Sequence, residues 1–115
     1  MTNFEPGQII LVRFPFTEIN RSKRRPALVL MRSDFRRFAL YTVAMITSSE
    51  GLEKHAADIA MTDWAKSGLP HASTIRLAKL ATIDHELVEK ALGKLAAPDL
   101  KRVRRQIKSS FAFWL

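Results

Sequence analysis

Apolar residues follow two rhythms along this chain, dense short runs over the first two thirds and a helical stripe at the end. Ile9-Ile10-Leu11-Val12-Arg13-Phe14 is a β-branched run opened by Pro6-Gly7 and closed by Pro15, which reads as a strand. A polar connection, Thr17 to Arg25, leads to a second run, Pro26-Ala27-Leu28-Val29-Leu30-Met31. The third is Leu40-Tyr41-Thr42-Val43-Ala44-Met45-Ile46-Thr47. After a loop from Ser48 to Lys54, a short fourth strand is expected around Ala57-Asp58-Ile59-Ala60. Thr62 to Gly68 reads as a capped helical turn ended by Gly68 and Pro70. Ser73 to Ile83 alternates imperfectly, with Ile75, Leu77 and Ala81 expected on one face and Arg76, Ala78 and Leu80 on the other.

Helical spacing is predicted from Asp84, a good N-cap, with Leu87, Ala91 and Leu92 as its apolar stripe. Pro98 and Asp99 suit the first turn of a final helix. Its stripe is Leu100, Val103, Ile107, Phe111 and Trp114, stepping by three or four residues. Five short strands with a helical end predict a mainly β (α+β) fold, a small antiparallel barrel or half-barrel with helices packed on it.

At 115 residues, with 47% hydrophobic and 26% charged residues, the chain is expected to form a single globular domain over 1–115. No apolar run approaches the roughly 20 residues of a membrane span. The first seven residues carry neither the basic start nor the apolar core of a signal peptide, so the expected location is cytoplasmic. Cysteine is absent, which removes disulfides, thiol catalysis and cysteine-ligated metals. His55, His71 and His85 lie far from any simple metal-ligand spacing, so no metal and no cofactor are expected. Gly7, Gly51, Gly68 and Gly93 are isolated, which excludes a phosphate-cradling glycine loop, and no Gly-x-Ser-x-Gly elbow occurs.

Charge changes the picture most. The net charge is +8 and the isoelectric point about 10.5, an excess that points to a polyanionic partner. Arg13, Arg21, Lys23, Arg24, Arg25, Arg32, Arg36 and Arg37 are opposed over that stretch only by Glu18 and Asp34. They flank two predicted strands, so they are expected on a barrel rim facing nucleic acid. A second cluster, Lys101, Arg102, Arg104, Arg105 and Lys108, reads as a solvated helix face. Phe111, Phe113 and Trp114 are expected to pack against the barrel. Phe14, Phe16 and Trp64 remain candidates for stacking on bases beside the arginines.

Gly7-Gln8-Ile9-Ile10-Leu11-Val12-Arg13-Phe14-Pro15-Phe16, followed by Lys23-Arg24-Arg25-Pro26-Ala27-Leu28-Val29-Leu30, resembles the opening signature of the MazF/PemK toxin family. The likeness continues at Ala44-Met45-Ile46-Thr47-Ser48, Ser73-Thr74-Ile75-Arg76, Ala81-Thr82-Ile83-Asp84 and Leu92-Gly93-Lys94-Leu95, in order and at sensible spacing. The resemblance implies an SH3-like small antiparallel barrel with C-terminal helices. It implies a dimeric toxin that cuts single-stranded RNA selectively and without a metal, restrained by an acidic antitoxin. The family's catalytic arginine before proline falls on Arg25, and the threonine ending its third strand on Thr47. One branch carries an Arg-x-Asp pair on the fifth strand. Here those positions are Arg76, Leu77 and Ala78, so the arginine is kept and the carboxylate is missing. A histidine and glutamate that some members carry in the first loop are also absent. Around Arg25, Thr47 and Arg76, the candidate RNA-binding residues are Arg13, Phe16, Arg21, Lys23, Arg24, Ser48 and Lys79.

Such cleavage uses the adjacent 2′-OH as nucleophile and leaves a cyclic phosphate and a 5′-OH. It needs a base, an acid and a cation beside the developing phosphorane. A guanidinium suits the last task, since it offers several fixed donors and a permanent charge. Thr47 can hold a phosphate oxygen or the 2′-OH by one hydrogen bond, and His71, beside Pro70, is a spare acid–base group. Two other readings stay open: a non-catalytic nucleic-acid- or partner-binding module on the same fold, and a toxin acting on a protein target such as gyrase.

Overall fold

The computed structural model describes residues 3–18 and 21–115, with the side chains of 15–18, 21 and 22 outside the description. The chain forms β1 (Gln8–Glu18), β2 (Arg21–Asp34), β3 (Ala39–Ser48), β4 (Asp58–Ala60), β5 (Ser73–Asp84) and β6 (Val88–Lys94). A helix, α1 (Ala97–Ser110), comes next, with single 3₁₀ turns at His85–Leu87 and Ala112–Trp114. The strands make one antiparallel sheet in the order β4-β5-β3-β2-β1-β6, the mainly β, SH3-like architecture expected.

Dense apolar runs rather than clean alternation arise because both faces of the sheet are covered. Ile9, Leu28, Ala44, Ile46, Ile75 and Leu77 pack on one face with Val103 of α1. Ile10, Val12, Phe14, Ala27, Val29, Tyr41, Val43 and Ile83 pack on the other. Burying side chains of this size stabilises by roughly 1.5–3 kcal/mol each relative to exposure. Register shifts in four of the strand pairings bend the sheet into its curved form.

Several expectations need correction. Asp84 does cap a turn, its carboxylate accepting from the Glu86 N–H, but the turn ends after Leu87. The chain from Val88 then becomes β6, because β1 offers an open edge and the ladder from Gln8↔Lys94 to Val12↔Val88 satisfies it. Backbone pairing outweighs a weak helical pattern of two turns. Among the described residues the sheet is therefore six-stranded rather than five-stranded, with one C-terminal α-helix. The expected Thr17–Arg25 connection is also mostly strand, with Glu18 paired to Arg21.

The alternation of β5 predicts Ile75, Leu77 and Ala81 on one face. Instead Ile75 and Leu77 join the first cluster while Ala81 and Ile83 join the second. The register jumps from Ala44↔Leu80 to Met45↔Arg76, so three extra residues of β5 bulge out and reverse its facing.

The final helix buries Val103 and half-buries Leu100 and Ile107, as its stripe predicts. Phe113 and Trp114 depart from expectation, being 86% and 79% exposed, and Phe111 is exposed as well. α1 ends at Ser110 and Phe111 leaves helical geometry at φ −106°, so helical spacing no longer aims Phe113 and Trp114 at the barrel. Phe14 is buried in the second cluster and Trp64 packs half-buried against the first, so neither is a free loop aromatic.

Candidate functional site

Strand alternation places the three candidate catalytic side chains on one face. Arg25 lies two residues before Ala27, and Thr47 two residues after Met45. Both neighbours pack on the second cluster. Arg76 sits between Ile75 and Leu77 of the first cluster, so it too projects to the opposite, second face. β5, β3 and β2 are adjacent, Ala27 pairs with Met45, and Met45 pairs with Arg76. The ends of three neighbouring strands thus bring Arg25, Thr47 and Arg76 together.

They line a cleft of about 460 Å³ with Lys79, above an apolar floor that includes Phe14, Met45 and Ala81. The bulge of β5 makes this cleft possible. Its extra residues, Leu77 to Lys79, break the regular pleat, and Lys79 joins Arg76 in the lining of the cleft. Arg25 and Thr47 also border a second cleft of about 420 Å³, with Arg24, Ser48 and His71 on its other walls. The pair therefore forms a ridge between two hollows.

Close backbone packing supports the second hollow. Gly68, at φ +90°, and Gly93 approach so closely that a Cβ on Gly68 would lie 2.1 Å from the Leu92 carbonyl oxygen. A Cβ on Gly93 would lie 2.3 Å from that of Ser67. The segment carrying Leu69, Pro70 and His71 is thereby set against β6 and the strand ends.

The electrostatics separate the cations. Among the described residues the Arg25 side chain makes no hydrogen bond or ion pair, so its five donors are available to a ligand. Arg24 pairs with Glu89 at 2.6 Å, an exposed contact with which a phosphate would compete. Arg76 is tied to Asp58, Nε to Oδ1 at 3.1 Å and Nη2 to Oδ2 at 3.4 Å, and Nη2 also donates to the Glu53 carbonyl at 3.0 Å.

Of the other candidates, Lys23 is exposed opposite Phe14, and Arg13 is exposed opposite Arg24, bordering neither cleft. Phe16 and Arg21 have side chains outside the described residues. The first basic cluster also divides. Arg32 is bound by Glu5 and Asp34, its pKa raised first by the Asp34 hydrogen bond, while Arg36 and Arg37 sit at the far end of β2. Nine residues of strand, about 30 Å, separate that end from Arg25.

Asp58 and Glu89, the carboxylates that order this basic rim, escape the sequence reading. Nothing in their local pattern marks them, because their partners lie 18 and 65 residues away. His85 is bonded to the Tyr41 hydroxyl at 3.0 Å and belongs to the packing around Phe4. No group of His, Asp and Glu side chains among the described residues is arranged to hold a metal ion, and no helix among them is long and apolar enough to cross a membrane.

Fold and cleft together define a small, mainly β protein in which two guanidinium groups line one cleft. The sequence matches, over residues 5–111, the family of PemK-like, MazF-like toxins of type II toxin–antitoxin systems, and the chain belongs to that family. The Mycobacterium tuberculosis toxin MazF-mt6 shares the fold with a TM-score of 0.69 and 24% identity, over 91% of this chain and 96% of that one. A mycobacterial endoribonuclease in complex with its cognate antitoxin superimposes with a TM-score of 0.67 at 13% identity, over 93% of both chains. A further mycobacterial endoribonuclease gives 0.67 at 13% identity, over 97% of this chain and 94% of that one. No curated protein matches the sequence.

Proposed function

We propose that this toxin is a metal-independent, sequence-selective endoribonuclease that cleaves single-stranded RNA, and that its 115 residues form one toxin domain. The observation that carries this reading is the convergence of Arg25, Thr47, Arg76 and Lys79 on a single cleft from neighbouring strands. Three cations in a hollow with an apolar floor suit a phosphodiester whose charge grows on reaction. The 2′-OH gives up its proton as its oxygen attacks the adjacent phosphorus, the P–O5′ bond breaks, and the leaving 5′-oxygen takes up a proton, so that no net proton is consumed. The products are a cyclic phosphate and a 5′-OH. In this reading the unbonded Arg25 guanidinium takes the phosphorane charge and Thr47 holds the 2′-OH or a phosphate oxygen. Flanking nucleotides occupy the two hollows, with Arg24, Ser48 and Lys79 on their phosphates and Arg13, Phe16, Arg21 and Lys23 extending the path. The working form is a cytoplasmic homodimer, held inactive by an acidic antitoxin, a partner of the kind bound to one of the fold relatives.

Incubation with a long single-stranded RNA in the presence of EDTA tests this directly. Fragments ending in a cyclic phosphate and a 5′-OH are expected, and a 2′-deoxy substitution at the scissile nucleotide should stop cleavage. A 5′-phosphate product or a magnesium requirement would overturn the mechanism. Binding without cleavage would leave a non-catalytic RNA-binding module.

A further inference from the structure

Of the three cations lining the first cleft, Arg76 alone is bonded to other described residues, and the manner of that bonding is specific. Asp58 lies directly opposite Arg76 in the β4–β5 ladder. Its side chain is only 7% exposed and that of Arg76 18%. The carboxylate grips the guanidinium edge-on, using Nε and Nη2, while the Glu53 carbonyl takes a second bond from Nη2. The carboxylate is itself held, because Oδ2 accepts the His55 N–H at 2.9 Å and the Asp58 N–H closes the same turn onto the His55 carbonyl at 3.0 Å. A three-residue edge strand and its turn thus present one carboxylate to one arginine.

The consequence for Arg76 is a fixed guanidinium plane. With the Nε–Nη2 edge occupied, Nη1 is the nitrogen with no partner among the described residues, and the residue lines the cleft. Repulsion among Arg25, Arg76 and Lys79 is also relieved by a buried negative charge behind Arg76.

We propose that Asp58 is a positioning residue for RNA cleavage, holding Arg76 so that its Nη1 edge meets a phosphate oxygen in the cleft. This rests on the endoribonuclease reading above. A purely architectural Asp58 would instead act by closing its turn on His55, which holds β4 in place. The two roles separate because positioning acts through Arg76 alone, whereas loss of that turn lowers activity whatever residue stands at position 76.

The test is a cycle of Asp58→Asn, Arg76→Ala and the double variant. Single-turnover cleavage would be measured on protein whose folded fraction is fixed by its thermal transition. Misplacing a reacting group slightly costs on the order of 10- to 100-fold in rate. Asp58→Asn is therefore expected to lower kcat about tenfold or more with KM within about twofold, and to have no further effect once Arg76 is alanine. An equal loss in both backgrounds would overturn positioning and leave architecture. In parallel, the Arg76 Nε–H resonance would be followed while a 2′-deoxy oligonucleotide is added. It should shift in the wild type and stay put in Asp58→Asn. A wild-type protein that leaves RNA intact would refute the nuclease reading, while the resonance still decides the Asp58 role. An unmoved wild-type signal would sink it.

Discussion

Arg25 and Arg76 carry the same charge in the same cleft, yet one is unbonded among the described residues and the other is locked by a carboxylate. That difference assigns them different behaviour on substitution. Arg25→Ala should lower cleavage by about two orders of magnitude or more, the usual effect of removing a donor aimed at developing oxyanion charge. Arg25→Lys should rescue little, because an ammonium keeps the charge but loses the planar fork. A rate for the lysine variant close to wild type, measured under single-turnover conditions, would show that Arg25 acts only as a point charge. Much of this constellation is legible in the sequence. Arg25, Thr47 and Arg76 stand in the blocks that carry the family resemblance, Lys79 lies just beyond one of them, and the structure gathers the four in one hollow. Asp58 is not legible. The Arg76-Leu77-Ala78 stretch carries no carboxylate, the one that Arg76 bonds comes from β4, and a cross-strand pair leaves no trace in local spacing.

At the scale of elements, tertiary pairing decides what local pattern leaves open. The first strands are legible because β-branched runs bounded by Pro and Gly have few alternatives. The stretch from Asp84 to Leu92 carries a helical rhythm, but the fate of Val88 to Lys94 depends on the unpaired edge of β1. α1 shows a different dependence. Its first-turn Asp99 is fully buried and accepts from the Thr62 N–H, the Thr62 hydroxyl and the Asp63 N–H, each at 2.9 Å, with Arg102 beside it. Burial raises its pKa, but the hydrogen bonds from Thr62 and Asp63 and the nearby Arg102 together outweigh it, and the net shift is downward from 3.8. A lowered folded pKa stabilises the protein above the ordinary value, and that contribution is lost as pH falls below about 4. Asp99→Ala should destabilise by about 3 kcal/mol at neutral pH, and the gap to wild type in denaturant titrations should narrow in acid. A gap that is unchanged or widens toward low pH would contradict this account of how α1 is anchored. Gly93→Ala should also destabilise, by about 2 kcal/mol or more, since its Cβ would meet the Ser67 backbone rather than a yielding side chain. The same variant should loosen the wall bearing His71, which a chemical-shift map would show as changes centred on residues 67–71.

Over the whole molecule, the +8 charge is distributed so that its parts have separate effects. Arg24 and Arg25 border the clefts, Arg32 is neutralised by Glu5 and Asp34, and Arg102 is bonded to the Ala60 carbonyl and Asp99. Exposed Arg104 and Arg105 lie on α1, which flanks the first apolar cluster rather than the cleft. Binding of uncleavable RNA should weaken steeply with salt, by a slope of about 0.7 for each phosphate neutralised on a single strand. Neutralising Arg21, Lys23 and Arg24 together should therefore reduce the slope by up to about 2. Neutralising Arg104 and Arg105 should change it less, and equal effects would place the RNA elsewhere. The same charge map constrains how a toxin of this family is silenced. A chain with acidic side chains and interspersed apolar ones can replace phosphates at Arg24 and Arg25 while burying its apolar groups on the floors of the two hollows. Since Glu89 already sits 2.6 Å from Arg24, a carboxylate is a ligand that rim accepts without rearrangement of charge. Antitoxin and RNA are then expected to compete for one surface, with higher salt slowing antitoxin association much more than it speeds dissociation, because steering acts on encounter. Titrating the co-encoded acidic protein into a complex with labelled, uncleavable RNA measures this. Full release of RNA at one equivalent is the expected result, whereas RNA that stays bound at saturating antitoxin would mean that inhibition acts from a separate face.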